Sequence, residues 1–428
     1  MRVLLIEARH GAEPALPLAL AQIGAVLRAQ GHDLVGVDLA FDSLGDVLAA
    51  DAERAVIFAL PPELAGLRDV VEALRARGAS TALVGLAASF DPVRARTLSG
   101  VDVAVAGDPE LAITAWIRGD DPATIPGVYG ETTPRTARAP RVPLATLPLL
   151  DRAVFPLARY AHAMRSTASP VTATFTSRGC VRTCGHCPMP ARHLEGFDAR
   201  PAAQVADEVG RLVRDHGVRC LHVEDDAFVT GRTHALEVSR ALRPFAGQLG
   251  WELVNGVRPG DVDLDLIDAM AEGGCVRIVF GFEHLSPTRG ASFEGVIHDP
   301  EHARKLVSHA KKRGLRVGGY FIVGLPGVAT PSDLRATWRA LRLGLDDANF
   351  TPYVALPESP FTRGGAVDAG RFAHLHSVVA TASFLARPTV AATFARDIAR
   401  DRHVLGALVA KAFELGAVGG PYPLRPQP

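Results

Sequence analysis

Short apolar segments alternate with helical patterns along the first 118 or so residues. The apolar segments are 3–6, 34–38, 55–60, 81–85 and 101–106. Helical patterns lie at about 17–30 and 62–77, and a third follows residue 107. Strands that are apolar along their whole length are typical of a parallel sheet buried on both faces. The pattern predicts an α/β domain over residues 1–120, doubly wound and Rossmann-like, with ligands beyond the carboxyl ends of its strands.

The same strand–helix unit returns six times between residues 171 and 355. The predicted strands are 171–176, 219–224, 251–254, 276–283, 316–323 and 348–352. The helical patterns between them lie at about 202–216, 234–242, 264–272, 301–313 and 332–343. In such repeats, active residues are expected at the carboxyl ends of the strands.

Two further segments complete the predicted domain organisation. Residues 121–168 are rich in proline, threonine and arginine and have no clear periodicity, which predicts a linker. The second α/β domain then covers residues 169–362. Residues 363–428 have apolar positions at helical spacing over much of their length, which predicts a helical C-terminal cap or tail.

Composition and charge narrow the class of protein. The 428 residues are 48% hydrophobic and 21% charged, as in an ordinary globular protein. Lys plus Arg and Asp plus Glu both number 46, so the formal charge is zero and no footprint for nucleic acid or an anionic membrane is visible. No apolar run reaches transmembrane length, and the first residues have the pattern of a core strand, not of a signal peptide. We expect a cytoplasmic protein that acts on a small molecule.

Three of the five cysteines lie within eight residues, directly after the apolar run 171–176. They are Cys180, Cys184 and Cys187. Three thiolates on one loop can hold three irons of a [4Fe-4S] cluster and leave the fourth iron open. Tetrahedral zinc is the alternative, with His186 or His193 as the fourth ligand. Zinc ligands usually come as two separated pairs and the sequence has no second pair, so the iron–sulfur cluster is favoured.

The CxxxCxxC spacing after a strand resembles the radical SAM family. The resemblance implies a partial (β/α)6 barrel of the TIM type over the six strand–helix units. It also implies that S-adenosylmethionine (SAM) chelates the open iron through its amino and carboxylate groups. An electron from the cluster then cleaves SAM to a 5′-deoxyadenosyl radical, which abstracts hydrogen from the substrate. A reducing partner of the flavodoxin or ferredoxin type would supply that electron.

Polar residues at the predicted strand ends extend this resemblance. Glu224, Asp225 and Asp226 end the second strand, where the family binds the SAM ammonium group, and we predict them as the catalytic acidic group. Arg258 lies just past the third strand and could pair with the methionyl carboxylate. Glu283 ends the fourth strand and resembles the ribose-binding position. The alternative for each residue is an ordinary salt bridge at the rim.

A glycine turn follows the fifth predicted strand. Gly324-Leu-Pro-Gly327 resembles the family motif that lies along the adenine of SAM. The family commonly has an acidic residue directly after this motif, and here Val328 stands in that position. We therefore predict Gly324 and Gly327 as cofactor-binding residues through the shape of the turn.

The first domain resembles the cobalamin-binding domain of cobalamin-dependent radical SAM enzymes. The resemblance rests on the helix near residues 17–32, the turn at Gly85 and the segment Gly107-Asp-Pro-Glu110. It implies that Gly85, Gly107 and Glu110 contact cobalamin. The sequence departs from the pattern because it has no DxHxxG motif and because Leu86 replaces the second glycine after the fourth strand. The alternative is a sheet domain kept for packing and substrate binding.

Three functions follow from these observations. The first is a radical SAM enzyme that methylates a carbon of a small substrate, such as a secondary metabolite, with the help of cobalamin. The second is a cobalamin-independent radical reaction, namely deoxygenation of the diol-dehydratase type on an aminosugar, epimerisation or cyclisation. The third is a non-catalytic iron–sulfur or zinc protein.

Overall fold

The structure is a computed structural model. It describes residues 1–8, 15–131, 138–160, 167–188, 196–287, 296–356, 359–365 and 370–400. The chain divides into two compact units, Met1–Met164 and Arg165–Leu408. Each unit has its own parallel sheet.

The first unit is built on a six-stranded sheet. Its strands are β1 (Arg2–Glu7), β2 (Asp33–Asp38), β3 (Arg54–Phe58), β4 (Ser80–Val84), β5 (Val103–Val105) and β6 (Val128–Tyr129). The order is β2-β1-β3-β4-β5-β6, in which the first five strands are parallel and β6 is antiparallel to β5. The central strands are buried along their length, as the uninterrupted apolar runs predict.

Helices cover both faces of this sheet. They are Leu18–Ala29, Leu44–Ala49, Arg68–Ala76, Leu86–Phe90, Pro92–Ser99 and Glu110–Arg118. Successive residues of β1 enter opposite cores: Val3 and Leu5 one, Leu4 and Ile6 the other. The predicted doubly wound fold is confirmed.

One predicted helix of the first unit has a different form. The pattern at 62–77 predicts a single helix, whereas the structure has a 3₁₀ helix, Pro61–Leu67, that runs into the α-helix Arg68–Ala76. Pro61 and Pro62 have no backbone N–H to donate at the start, and apolar spacing alone does not distinguish a 3₁₀ turn from an α-turn.

Most of the described part of the predicted linker, residues 121–131 and 138–160, belongs to the first unit. Strand β6 pairs with β5, and the N–H of Ala139 donates to the carbonyl of Ala106 at 2.8 Å. Phe155 and Tyr160 are fully buried in one of the two cores, and the Tyr160 hydroxyl donates to Asp38 at 2.8 Å. This segment is irregular, so it has no periodicity that would reveal its core residues in the sequence.

The second unit follows the order of the chain. Its strands are β7 (Val171–Thr174), β8 (Ser177–Arg178), β9 (Asp198–Ala199), β10 (Cys220–Val223), β11 (Gly250–Val257), β12 (Cys275–Leu285), β13 (Ile297–His298), β14 (Arg316–Val323) and β15 (Asp347–Pro352). The main sheet has the order β7-β10-β11-β12-β14-β15, all parallel, and β13 pairs with the end of β12. Strands β8 and β9 form a small antiparallel ribbon. Six parallel strands in sequential order confirm the predicted partial barrel.

Helices connect these strands and continue into the tail. They are Ala202–His216, Arg232–Leu242, Leu264–Glu272, Pro300–Lys312, Thr330–Leu341, Pro360–Arg363, Arg371–Leu385 and Pro388–Arg400. Asp263 caps the start of the helix Leu264–Glu272, because its carboxylate accepts from the N–H of Leu266 at 2.8 Å.

The tail helix Arg371–Leu385 packs beside β15, where the Ser377 hydroxyl donates to the Phe350 carbonyl. A role for the tail as a cap over the barrel stays a prediction, and residues 401–428 lie outside the described ranges. Among the described helices, no single one is long and apolar enough to cross a membrane. One bent pair, Arg371–Leu385 with Pro388–Ala399, is long and apolar enough only when the two helices are counted together.

Candidate active site

The loop after β7 carries the three clustered cysteines. Cys180, Cys184 and Cys187 are half-buried cysteines that line one cavity. Burial raises the pKa of the Cys180 and Cys184 thiols. Gly185 lies against the ring of Phe361, whose N–H donates to the Gly185 carbonyl at 2.8 Å. A side chain at position 185 would meet that ring, so the glycine lets the loop pack there.

The cavity lies at the carboxyl ends of strands β10, β11 and β12. Its other lining residues include Arg182, His186, Asp225, Asp226, Thr230, Asn255, Arg258, Asp261, Gly281 and Glu283. The structure therefore brings the three cysteines together with most of the polar residues that were predicted from strand ends. Glu224, Gly324 and Gly327 are not among the described residues that line it.

Two of the three predicted acidic residues hold the start of the cysteine loop. Buried Asp225 accepts from the N–H and hydroxyl of Thr176, both at 2.6 Å, and from the Ser177 hydroxyl at 2.5 Å. Burial raises the pKa of Asp225 to about 6, although these hydrogen bonds oppose the rise. Asp226 accepts from the N–H of Gly179 at 2.9 Å. Their predicted contact with the SAM ammonium group stays a prediction.

Arg258 is joined to the cysteine loop by Asp261, which sequence analysis did not single out. The Asp261 carboxylate accepts from Arg258 Nη1 at 3.0 Å and from Arg182 Nη2 at 2.6 Å. Arg182 lies between the first two loop cysteines. The Nε of Arg258 is buried and makes no hydrogen bond to the described part of the chain. This guanidinium therefore has a donor left for a ligand in the cavity it lines.

Glu283 has an unusual backbone and an unusual environment. Its φ is +49°, and the pairing of β12 with β14 shifts register between Gly281 and Glu283. A non-glycine residue in this region costs about 1–3 kcal/mol and tends to occur at functional sites. Burial raises the pKa of the Glu283 carboxyl to about 7. Its Oε1 lies 3.9 Å from Nε2 of His186, whose pKa burial lowers to about 4.

The predicted glycine turn follows β14 directly. Gly324 and Gly327 have φ of +75° and +76°, a region in which a side chain is strained. The Gly324 N–H donates to Asp333 Oδ2 at 2.7 Å. The turn is thus fixed by a carboxylate that the sequence did not reveal as a site residue.

These residues suit a three-cysteine cluster and SAM. Three thiolates on one loop match the ligand set of a [4Fe-4S] cluster with one open iron. Arg258 offers a guanidinium for a carboxylate, and Glu283 offers oxygen acceptors for hydroxyl groups. Both residues line the cavity that the cysteines line.

The predicted cobalamin contacts have packing roles within the first unit. Gly85 has φ of +98°, and an added Cβ would lie 2.6 Å from the Phe58 ring. Gly107 has φ of +102°, and its Cβ would lie 2.7 Å from the Ala139 carbonyl oxygen. Glu110 is buried at the start of its helix. Both glycines are therefore required by packing within the first unit, and contact of Gly85, Gly107 and Glu110 with cobalamin stays a prediction.

Comparison with known proteins gives one family. Residues 174–336 match the model of the Radical SAM superfamily. An uncharacterized methyltransferase of Pyrococcus horikoshii is 24% identical over 357 residues, which is 78% of this chain and 75% of that protein. Cytidylyl-2-hydroxyethylphosphonate methyltransferase of Streptomyces wedmorensis is 28% identical over 227 residues, or 51% of this chain and 40% of that protein.

A solved structure shares the fold of most of the chain. The radical SAM methyltransferase TsrM of Kitasatospora setae, solved with cobalamin and a [4Fe-4S] cluster, has a TM-score of 0.70 at 19% identity. The match covers 84% of this chain and 76% of TsrM. The cysteine loop, the sequential barrel and these matches agree: residues 174–336 form a domain that matches the radical SAM superfamily, and the chain shares the fold of TsrM over most of its length.

Proposed function

We propose that the chain binds a [4Fe-4S] cluster through Cys180, Cys184 and Cys187, binds SAM in the adjoining cavity, and methylates a small-molecule substrate with the help of cobalamin. The observation that carries the proposal is the shared cavity, which the three cysteines line together with Arg258 and Glu283.

The proposal assigns a role to each of the polar side chains around the cavity. Arg258 pairs with the methionyl carboxylate, while Asp261 orients its guanidinium. Glu283 accepts from the ribose hydroxyls, and Asp225 and Asp226 fix the residues before Cys180. When bound, the cluster supplies the electron that cleaves SAM. A reducing partner of the flavodoxin or ferredoxin type replaces that electron.

Methyl transfer is supported by the named relatives. Both curated proteins described above carry methyltransferase names, as does TsrM, which has also been solved with tryptophan and a SAM analogue. These likenesses, between 19% and 28% identity, support methyl transfer as the reaction class.

A cobalamin-independent radical reaction is the second candidate. The departure at Leu86, which replaces the second glycine after the fourth strand of the first domain, favours it. Deoxygenation, epimerisation and cyclisation all begin with the same hydrogen abstraction and would use the same cavity.

The test is anaerobic purification from cells supplied with cobalamin, with iron, sulfide and corrin quantified together. We expect about four irons per chain, and formation of deoxyadenosine from SAM under reductant. Cys184→Ala should lose iron and activity, whereas Cys275→Ala, a buried cysteine at the start of β12, should keep both. Wild-type protein without iron, or an active Cys184→Ala variant, would refute the proposal.

Corrin content separates the two candidates. A stoichiometric corrin band supports methyl transfer with cobalamin. Deoxyadenosine formation by a corrin-free protein supports the second candidate.

A further inference from the structure

The helix Thr330–Leu341 contacts two neighbouring strand ends: that of β14, followed by the glycine turn predicted to lie along the adenine, and that of β12, which carries Glu283. Its Asp333 accepts through Oδ2 from the N–H of Gly324, at the end of β14. Its Arg339 donates from Nη1 to the Leu285 carbonyl at 3.0 Å, two residues after Glu283 on β12. One helix therefore holds the glycine turn and the end of the strand that carries Glu283.

Asp333 also faces the residue that follows Glu283. Its Oδ1 lies 3.4 Å from Nε2 of His284, and both side chains are buried. Neither ring nitrogen of His284 makes a hydrogen bond of normal geometry within the described chain. The two oxygens of the Asp333 carboxylate thus contact different neighbours: Oδ2 accepts from the N–H of Gly324, and Oδ1 lies against the His284 ring.

The strained backbone at Glu283 explains why such support is needed. A non-glycine residue keeps a positive φ only where the surrounding structure over-determines it. Contacts beside Glu283 include its pairing with Phe321 on β14 and the His284 N–H to the Val296 carbonyl at 3.1 Å. The helix Thr330–Leu341 adds the Arg339 contact and the Asp333 contact.

We propose that Asp333 is a positioning residue for the adenosine end of SAM. Through Oδ2 it sets the Gly324 turn, and through His284 it holds Glu283 with its carboxylate in the cavity. This inference rests on the proposed function and assigns Asp333 no contact with SAM.

The test compares carboxylates at the two ends of β14. Asp333→Ala removes both contacts, and Asp333→Asn keeps an oxygen for the Gly324 N–H. The matched control is Asp346→Ala, because Asp346 Oδ2 accepts from the N–H of Val317 at 2.9 Å at the opposite end of the strand. In deoxyadenosine formation, Asp333→Ala should raise the KM for SAM roughly 10–100-fold, the range expected for a lost hydrogen bond to a charged group. The kcat of Asp333→Ala should change little. The KM of Asp333→Asn should lie between those of the wild type and Asp333→Ala, and Asp346→Ala should keep the wild-type KM.

A second readout uses protein without SAM. Backbone hydrogen exchange of peptides that cover Gly324–Val328 and Phe282–Ser286 should be faster in Asp333→Ala than in wild type or in Asp346→Ala. Unchanged KM and unchanged exchange in both Asp333 variants would overturn the inference while leaving the proposed function intact. If the wild type holds no cluster and forms no deoxyadenosine, the proposed function fails and the inference fails with it.

Discussion

At the scale of single residues, Glu283 gives a testable pH dependence. Burial raises the pKa of its carboxyl from 4.5 to about 7, so the folded protein disfavours the charged form. The stability of the wild type should therefore fall as pH rises from about 4.5 through 7. Glu283→Gln cannot ionise, so its unfolding free energy relative to the wild type should increase between pH 5 and pH 8, by up to about 3 kcal/mol.

Urea unfolding of cluster-free protein at the two pH values measures this difference. Glu301→Gln is the control, since Glu301 is exposed on the helix Pro300–Lys312 and should show no such trend. If the difference in unfolding free energy between Glu283→Gln and the wild type is the same at both pH values, burial does not raise the pKa of Glu283 and the prediction is wrong.

The sequence predicted the site residues that lie near the carboxyl ends of strands. Cys180, Asp225, Arg258 and Glu283 meet because the carboxyl ends of neighbouring parallel strands share one edge of the sheet. Glu224 was predicted with the same acidic group, yet in the structure it is not among the described residues that line the cavity.

The supporting carboxylates could not be predicted in this way. Asp261 lies in a 3₁₀ turn and Asp333 in the first turn of a helix, positions where acidic residues are common for local reasons. Their roles depend on partners 79 and 9 residues away, Arg182 and Gly324, and on the tertiary approach that joins them.

At the scale of elements, the strand starts of the second unit carry a buried ionic network to which sequence analysis assigned no role. Glu252 on β11 is fully buried. It accepts from the N–H and hydroxyl of Thr167, both at 2.7 Å, and from Arg277 Nη1 at 3.2 Å, and His222 Nε2 lies 3.6 Å away. With Cys220 and His222 it forms a set whose atoms lie close enough for a metal ion. The contacts with Arg277 and Thr167 already engage both oxygens, so we interpret the set as structural.

Glu252→Gln should strongly destabilise the protein. Burial alone would raise the pKa of Glu252, but His222, Arg277 and Thr167 outweigh it and lower the pKa to about 2. The ionised carboxylate therefore contributes stability above pH 4.5, and this contribution is lost as pH falls toward 2. Removing one partner of a buried ion pair costs about 3–5 kcal/mol, so we expect a loss of that size at pH 7.

Urea unfolding at pH 7 and pH 3.5 checks both statements. The deficit of Glu252→Gln should be smaller at the lower pH, while exposed Glu237→Gln on the helix Arg232–Leu242 should match the wild type at both. An equal deficit at both pH values would argue for a packing effect without ionisation.

Most elements could be predicted because their cores are periodic. The helices Ala202–His216 and Leu264–Glu272 and the strand Arg316–Val323 begin and end where the pattern predicts them. The short helices Leu44–Ala49 and Leu86–Phe90 were not predicted. Segments of five or six residues contain too few turns to show an apolar stripe.

At the scale of the whole molecule, the extent of the first unit differs most from the expectation. The sequence predicts a domain of residues 1–120 and a linker to residue 168, whereas β6 and the buried residues Phe155 and Tyr160 belong to the first unit. Proline-rich irregular segments are usually exposed connections, and here one completes a core.

Phe155→Ala tests this assignment in the full chain. Phe155 is fully buried in a core with residues from β1 and β3, and removal of a buried phenylalanine ring costs about 3–5 kcal/mol. The side chain of an exposed linker residue would contribute almost nothing to the free energy of unfolding. We therefore expect hydrogen exchange of peptides from β1 and β3 to accelerate strongly in Phe155→Ala. Leu98→Ala, on the helix Pro92–Ser99 of the same unit, removes a side chain from a residue that is 38% exposed and should leave that exchange close to wild type. If hydrogen exchange of β1 and β3 is the same in both variants, we would conclude that residues 121–160 do not stabilise the first sheet. The first domain would then end near residue 120, as the sequence predicts.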